Sequence, residues 1–304
     1  GTKNGEVVRA ATEKNEGQSK EIDFADFDHD ADVDDIYTIA ATATDLAGNT
    51  SEAQSITFSV NRFGSNYRVV DSRAYQSNNG YLQQPRDVQV EEINVSGCEP
   101  EAHDVTVTSG VSVRNLARND SPQSRGYSVA EATSGEASSN GWSLYTYTVS
   151  AGNFDVDGRY HVAVSSNDRA TNRNTSSNYF DRGTKSEAQA EVSFILDTTT
   201  PVVTELNVER GGVYDAAQYD VSFKVVENIG LDKVVVSLDD GDEFSPEPDA
   251  FGNYRFTVDS KPFTPRSVSI SAVDLAGRQG DTQVDGWRVT TDLIELHLPW
   301  VIVG

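Results

Sequence analysis

The sequence predicts an all-β protein made of tandem antiparallel β-sandwiches arranged as an elongated rod. Apolar and polar residues alternate through many short segments, for example 219–226 and 267–273, and Gly, Pro, Asn and Asp clusters bound these segments. Helical periodicity is nearly absent. In addition, one motif returns at three places in the chain, which indicates a repeated unit.

The recurring motif begins at a tyrosine and ends at an asparagine. The first copy, 34–49, reads DDIYTIAATATDLAGN, and the second, 157–172, reads DGRYHVAVSSNDRATN. A third copy, 266–278, reads RSVSISAVDLAGR and lacks both the tyrosine and the asparagine. The motif positions are Tyr37, Asp45 and Asn49 in the first copy, Tyr160, Asp168 and Asn172 in the second, and Asp274 and Gly277 in the third.

These positions predict a structural role. In an immunoglobulin-like sandwich, a tyrosine near the start of the sixth strand turns its hydroxyl back onto the backbone a few residues upstream. An aspartate at the strand end can accept hydrogen bonds from amides two residues on, which forms a turn. The strand persists in the third copy with Arg266 in place of tyrosine, as a fold would permit and a shared catalytic site would not.

The spacing of the motif predicts three modules. Asp45, Asp168 and Asp274 are 123 and 106 residues apart, close to the roughly 100 residues of one sandwich plus insertions. We therefore expect a truncated immunoglobulin-like sandwich at 1–62, a sandwich with insertions at 63–198, a further sandwich at 199–292, and a tail at 293–304. The chain contains no Met, which we interpret as the sign of a fragment or a processed chain.

Two segments depart from the repeat. The middle copy carries an insertion of 13 residues around 173–189, which we expect to be a long exposed loop. The tail ends in the apolar run 298–304, which is too short for a bilayer span of about 20 residues. It is either a last strand or disordered tail, or the start of a membrane anchor.

Charge and cysteine content exclude several classes of function. The net charge is −24, from 48 acidic and 24 basic residues, which opposes binding to nucleic acid or to an anionic membrane surface. Cys98 is the single cysteine, so an intrachain disulfide is excluded. We expect it to lie unreactive in an acidic loop.

An acidic run offers one candidate metal site. Asp26, Asp28, Asp30 and Asp32 alternate along the chain, as oxygen ligands do in calcium loops. An EF-hand is not indicated, because Ala31 and Tyr37 stand where that loop needs Gly and Glu. The alternative is a solvated acidic loop before a strand. No other cofactor is predicted.

No catalytic residue is predicted. The four histidines are scattered, and motifs such as HExxH, GxSxG and GxGxxG do not occur. The segment 237–244 resembles an Asp-box, but a hairpin turn explains it. The aromatic residues Trp142, Tyr145, Tyr147 and Phe154 either stack on a sugar or fill a core, and their alternation favours the core.

The motif, together with the segments FSVNRFGSNY, FILDTTTPVV and SAVDLAGR, resembles the bacterial immunoglobulin-like repeats of large cell-surface proteins. This resemblance implies an extracellular, membrane- or wall-anchored protein whose modules form a non-catalytic stalk or adhesin segment. It implies a monomer within a longer chain, a host or cell-wall glycan or protein as ligand, and no small-molecule substrate. Arg266 and Arg278 depart from the pattern. The alternative is a carbohydrate-binding or accessory module of a larger surface hydrolase.

Overall fold

The computed structural model describes residues 2–3, 6–7, 30–70, 80–119, 125–133, 141–239 and 241–291, and almost all of their regular structure is β. The chain divides into two compact units, 1–196 and 197–304. Among the described residues of the first unit, two short 3-10 helices occur, Ala31–Val33 and Ala151–Asn153.

The first unit begins with a four-stranded sheet in the order β2-β1-β3-β4. Its strands are β1 (Thr2–Lys3), β2 (Glu6–Val7), β3 (Asp35–Ala41) and β4 (Gln54–Val60). Tyr37 is buried and stacks on Phe58 across the β3–β4 pair, with ring centroids 5.9 Å apart. Ile56 on β4 is 65% exposed. Among the described residues, no second sheet covers this one.

The remainder of the first unit is a two-sheet sandwich. One sheet has the order β10-β11-β7-β5, and the other has the order β6-β16-β12-β8-β9, with β13 paired to β12. The strands are β5 (Asn66–Val69), β6 (Gly80–Leu82), β7 (Val88–Asn94), β8 (Cys98–Ser109), β9 (Ser112–Asn115), β10 (Tyr127–Thr133), β11 (Ser143–Val149), β12 (Gly158–Asp168), β13 (Arg173–Thr175), β14 (Tyr179–Asp181), β15 (Ser186–Ala188) and β16 (Val192–Leu196). This strand order is that of an immunoglobulin-like sandwich.

The core of the sandwich is formed by the alternate residues of its strands that point inward. Strands β7 and β11 bury every second residue, and β12 does so from Tyr160 onward. Phe154 packs edge-to-face on Tyr160 and on Phe194, with ring centroids 5.1 and 5.0 Å apart. Burying one side chain of this size stabilises the folded state by roughly 1.5–3 kcal/mol.

The second unit repeats the architecture. A sheet in the order β17-β19-β22 faces a sheet in the order β18-β24-β23-β20-β21. The strands are β17 (Val202–Thr204), β18 (Val213–Asp215), β19 (Gln218–Val226), β20 (Leu231–Leu238), β21 (Asp242–Phe244), β22 (Asn253–Asp259), β23 (Arg266–Asp274) and β24 (Gln279–Thr290). Trp287, Phe223 and Ile270 fill its core.

The insertion of the middle repeat is not the long exposed loop expected from its composition. It forms β13 and a hairpin of β14 and β15. Phe180 of the hairpin stacks on Phe63, with centroids 4.5 Å apart, and Tyr179 packs edge-on against Tyr67 at 5.4 Å. Because two aromatic rings of the insertion pack against the preceding segment, the insertion forms regular structure.

Two other segments carried predictions from the sequence, the Asp-box-like segment and the C-terminal tail. The segment that resembles an Asp-box is the β20–β21 hairpin, with Leu238 opposite Asp242. The tail 293–304 lies outside the described residues. Within the described ranges, no helix is long and apolar enough to cross a membrane. The division into three modules stays a prediction.

Candidate functional site

The motif tyrosines close the turns that precede their strands. The Tyr37 hydroxyl donates to the Val33 carbonyl at 2.6 Å, and the Tyr160 hydroxyl donates to the Val156 carbonyl at 2.7 Å. Burial raises the pKa of Tyr37, so this hydroxyl keeps the proton that it donates. Both tyrosines thus act on the backbone four residues upstream.

The third copy builds the same corner with a different side chain. Arg266 is buried, and its Nη1 donates to the Asp259 carbonyl at 3.0 Å. Its Nε lies 2.7 Å from a carboxylate oxygen of Asp239. A buried guanidinium needs such a partner, and Asp239 provides it.

The motif aspartates form identical turns. The Asp45 carboxylate accepts the Ala47 and Asn49 amides at 2.9 Å each and the Asn49 side-chain amide at 2.8 Å. These bonds, led by that of the Asn49 side chain, lower the pKa of Asp45. Asp168 makes the same set with Ala170 and Asn172, at 2.8–3.0 Å.

A further copy of this turn, not predicted from the sequence, begins at Asp249. Asp249 accepts the Phe251 and Asn253 amides at 2.8 and 2.9 Å and the Asn253 side chain at 2.9 Å. The signal was present as DAFGN, which has the same Asp-to-Asn spacing. In the third repeat, Asp274 accepts the backbone amide of residue 278 at 2.8 Å, and Gly277 has a φ of 84°, which a glycine adopts readily.

Asp168 differs from Asp45 in its surroundings. Asp45 is exposed, whereas Asp168 is buried and accepts three further side-chain amides on Oδ2. These amides belong to Asn61, Asn94 and Asn174, at 3.0, 3.1 and 3.3 Å. Since Asn61 directly follows β4, the turn ties the first sheet to the sandwich.

A second buried carboxylate lies beside this turn. Glu92 is fully buried and accepts four hydroxyl protons within 3.0 Å. The donors are Ser65, Tyr67, Tyr147 and Ser166. Cys98 begins β8 rather than lying in the predicted acidic loop, and its thiol donates to Glu92 at 3.5 Å. Burial and the Glu92 charge raise the pKa of Cys98, which opposes thiolate chemistry.

The segment between the first sheet and the sandwich is held by a buried ion pair. The Asp34 carboxylate accepts the backbone amides of Arg62 and Phe63 at 3.0 and 3.1 Å and pairs with Arg182 Nη2 at 3.0 Å. Arg182 also donates to Asn61 Oδ1 at 2.9 Å and to the Gly64 carbonyl. The side chains of Asp34 and Arg182 are 0% and 11% exposed.

Trp142 completes this arrangement. Its indole N–H donates to Asp35 Oδ1 at 2.9 Å, and the Arg182 guanidinium carbon lies 5.6 Å from the centroid of its ring. We call Asp34, Asp35, Asn61, Trp142 and Arg182 the polar joint. Trp142 was a candidate for sugar stacking, as were Tyr145, Tyr147 and Phe154. Those three lie in the core instead.

The acidic run also faces the insertion. Lys185, at the tip of the β14–β15 hairpin, lies 3.4 Å from an Asp30 oxygen and 2.8 Å from an Asp32 oxygen. The other two calcium candidates, Asp26 and Asp28, lie outside the described residues. Within the described ranges, no group of three or more His, Cys, Asp or Glu side chains could hold a metal ion.

At two positions the second unit carries carboxylates where the first unit has amides, and at a third position both units carry an aspartate. By strand position, Asp197, Glu227 and Asp274 correspond to Asn61, Asn94 and Asp168. The loops that carry them adjoin, because Arg278 Nε donates to the Asp197 carbonyl and the Leu275 amide donates to the Gly230 carbonyl, both at 3.0 Å. Glu227 Oε2 and Asp274 Oδ2 are buried atoms without a hydrogen-bond partner.

Comparison with known proteins finds solved structures that are similar to this chain. No protein-family model and no curated protein matches the chain. A Clostridium thermocellum structure of CbhA fibronectin(III)-like modules is 10% identical, over 74% of this chain and 94% of that one, with a TM-score of 0.30.

Two adhesin structures are also similar. A tetra-tandem repeat from the extending region of a large adhesion protein is 17% identical, over 85% of this chain, with a TM-score of 0.35. A Ca²⁺-stabilised ice-binding adhesin of an Antarctic bacterium is 15% identical, over 84% of this chain, with a TM-score of 0.29. The chain spans 57% of the length of each adhesin structure. Assignment of the immunoglobulin-like fold rests on the strand order and the tyrosine corners described above.

Proposed function

We propose that this chain is a non-catalytic stalk segment of a bacterial cell-surface protein, in which immunoglobulin-like modules act as stiff spacers. The observation that carries the proposal is the polar joint, which fixes the first sheet on the sandwich through buried charges. The net charge of −24 suits a solvated extracellular surface. We place the protein outside the cell, anchored to membrane or wall, as a monomeric part of a longer chain.

The stiffness of the joint follows from the bonds on the connecting segment. The backbone amides of Arg62 and Phe63 are held by Asp34, and the amide of Ser65 is held by Asn174 Oδ1 at 2.9 Å. Bending here would leave buried donors and acceptors unsatisfied, at a cost of about 1–3 kcal/mol for each group. A flexible tether would not need such bonds.

Solution scattering and residual dipolar couplings test the proposal on the whole chain. We expect wild type to be elongated, with one orientation between the first sheet and the sandwich. Arg182→Ala should broaden that orientation, because Asp34 would lose its buried partner. The control is Arg173→Ala, whose ion pair with Asp104 is exposed. A spherical wild-type particle, or unchanged couplings in Arg182→Ala, would contradict the stalk function.

We also propose calcium as a stabilising ion, with the loops around Asp274 as the second candidate location beside the acidic run. Although the described ranges hold no group of three acidic side chains placed for a metal, Glu227 Oε2 and Asp274 Oδ2 are carboxylate oxygens without hydrogen-bond partners, and Ca²⁺ takes such oxygens together with backbone carbonyls and water. At the acidic run, by contrast, the Lys185 ammonium already pairs with both Asp30 and Asp32. This observation favours the second unit.

Thermal unfolding with and without millimolar CaCl₂ separates the two locations. If the loops of the second unit bind calcium, its melting transition rises with the ion, and Asp274→Asn abolishes the rise. The matched variant Asp30→Asn should leave the rise intact. A calcium-dependent shift that is lost only in Asp30→Asn would place the ion at the acidic run. No shift in wild type would reject calcium at both.

A further inference from the structure

A small cleft lies where the insertion meets the connecting segment. Its volume is about 230 Å³, and its lining includes Phe63, Arg173, Asn178, Tyr179, Phe180 and Glu187. Five of these six residues come from the insertion, 173–189, which the other repeats lack. We infer that this cleft binds a neutral saccharide, presented as the end of a glycan.

The apolar side of the cleft is preformed. Phe63 and Phe180 stack with an interplanar angle of 30°, and both are half-buried, so each keeps some exposed ring surface. Tyr179 is fixed by its hydroxyl, which donates to the Tyr67 carbonyl at 2.9 Å. Fixed aromatic rings offer large apolar area at low entropic cost, and the C–H face of a pyranose packs on such surfaces.

The polar side carries planar groups suited to neighbouring hydroxyls. Asn178 and Glu187 are exposed, and Glu187 lies directly opposite Phe180 in the hairpin register. The Arg173 guanidinium is held by Asn167, Asp104 and Ser165 through three hydrogen bonds, and a guanidinium has five N–H donors. An amide, a carboxylate and a guanidinium can each engage two adjacent hydroxyl groups.

Charge and size narrow the class of ligand. The positive charge of Arg173 is already paired with Asp104, Glu187 adds a negative charge to the cleft, and the chain as a whole is strongly acidic, so an anionic ligand is disfavoured. A sialylated or phosphorylated glycan therefore fits less well than a neutral hexose. The volume is below the roughly 300–1,000 Å³ typical of larger small-molecule sites, which suits a single terminal sugar ring.

Binding of defined oligosaccharides to the full chain tests this inference. We expect neutral hexose-terminated oligosaccharides to bind in calorimetry or in chemical-shift titration, and sialylated counterparts to bind more weakly. Asn178→Ala and Glu187→Gln should each weaken binding by about tenfold, as loss of one good hydrogen bond does. Both side chains are exposed, so these variants should fold normally.

Control variants separate specific recognition from general stacking. Phe251→Ala removes an aromatic side chain that is 85% exposed in the second unit, and it should leave binding unchanged. Absence of binding by any neutral saccharide, preference for sialylated or peptide ligands, or equal binding by all variants would overturn the inference. The stalk function is judged separately, because it rests on scattering of the unliganded chain.

Discussion

At the scale of single residues, one hydroxyl or one imidazole decides whether a buried group is satisfied. The hydroxyls of Tyr37 and Tyr160 each donate a hydrogen bond to the carbonyl four residues upstream. His103 is buried against Tyr145 and Tyr147, with ring centroids 4.9 and 5.6 Å away. These contacts lead to two predictions on stability.

Tyr160→Phe should destabilise the first unit by about 1–2 kcal/mol, because the Val156 carbonyl loses its donor while the ring stays packed. Tyr81→Phe is the matched control, since the Tyr81 side chain is 37% exposed and belongs to the same unit. Its effect should stay within about 0.5 kcal/mol. Urea unfolding measures both, and equal losses would argue against the corner bond.

His103 makes the first unit sensitive to mild acid. Tyr147 donates its proton to Glu92, so its oxygen accepts from His103 Nδ1–H at 2.8 Å. Burial lowers the pKa of His103 below the ordinary 6.5, outweighing the nearby carboxylates Glu92, Glu131 and Asp104, and Arg118 acts in the same direction as burial.

The sign follows from proton uptake. Below pH 6.5 the unfolded chain binds a proton at His103 more readily than the folded chain does. The contribution of His103 to the stability of the first unit is therefore fully present above that pH, and it is lost as the pH falls toward the pKa of His103 in the folded chain. We expect urea melts at pH 7.5 and 5.5 to differ for wild type and to differ less for His103→Gln. An identical pH dependence in the variant would contradict this assignment.

At the scale of structural elements, the same turn has different consequences in different places. The turns at Asp45 and Asp249 are exposed and bind the backbone and asparagine of the turn itself, and Asp249 also lies 4.0 Å from Arg255 Nε. The turn at Asp168 also receives the amides of Asn61, Asn94 and Asn174. The β14–β15 hairpin positions two basic side chains. It brings Arg182 and Lys185 into ion pairs with the acidic segment before β3.

Asp168→Ala should therefore cost about 3 kcal/mol or more in the first unit, because it leaves several buried amides without an acceptor. Asp45→Ala removes the same turn bonds at an exposed site and should have a much smaller effect. Chemical unfolding of the two variants measures the difference. Similar losses would show that the turn itself, and not the buried network, dominates.

At the scale of the whole molecule, the two compact units have separate cores. One core includes Phe194, Tyr147 and Val162, and the other includes Trp287, Phe223 and Ile270. A domain with its own core can unfold on its own. We therefore expect calorimetry of the full chain to show two transitions.

Single core substitutions should move these transitions one at a time. Trp287→Ala removes a fully buried indole and should destabilise the second unit by about 3–5 kcal/mol, while the other transition stays in place. Phe194→Ala should do the reverse. A single transition that shifts in both variants would mean that the units unfold cooperatively.

Prediction from sequence worked best where the interactions are local. The period-two alternation marked most strands, and the tyrosine and aspartate motifs act within four residues of themselves. The insertion was misjudged because its polar residues suggested a loop, whereas Tyr179 and Phe180 pack on Tyr67 and Phe63. Cys98 was misplaced because the acidic residues around it concealed a strand start.

The sequence by itself therefore determined the β class, the repeating corners and turns, and the absence of recognisable catalytic motifs, because these depend on neighbouring residues. Only the tertiary structure decided what the non-repeating residues do. Asp34 meets Arg182 across 148 positions and Asp35 meets Trp142 across 107. No periodicity encodes such pairs, because they exist only once both sheets and the hairpin have folded together.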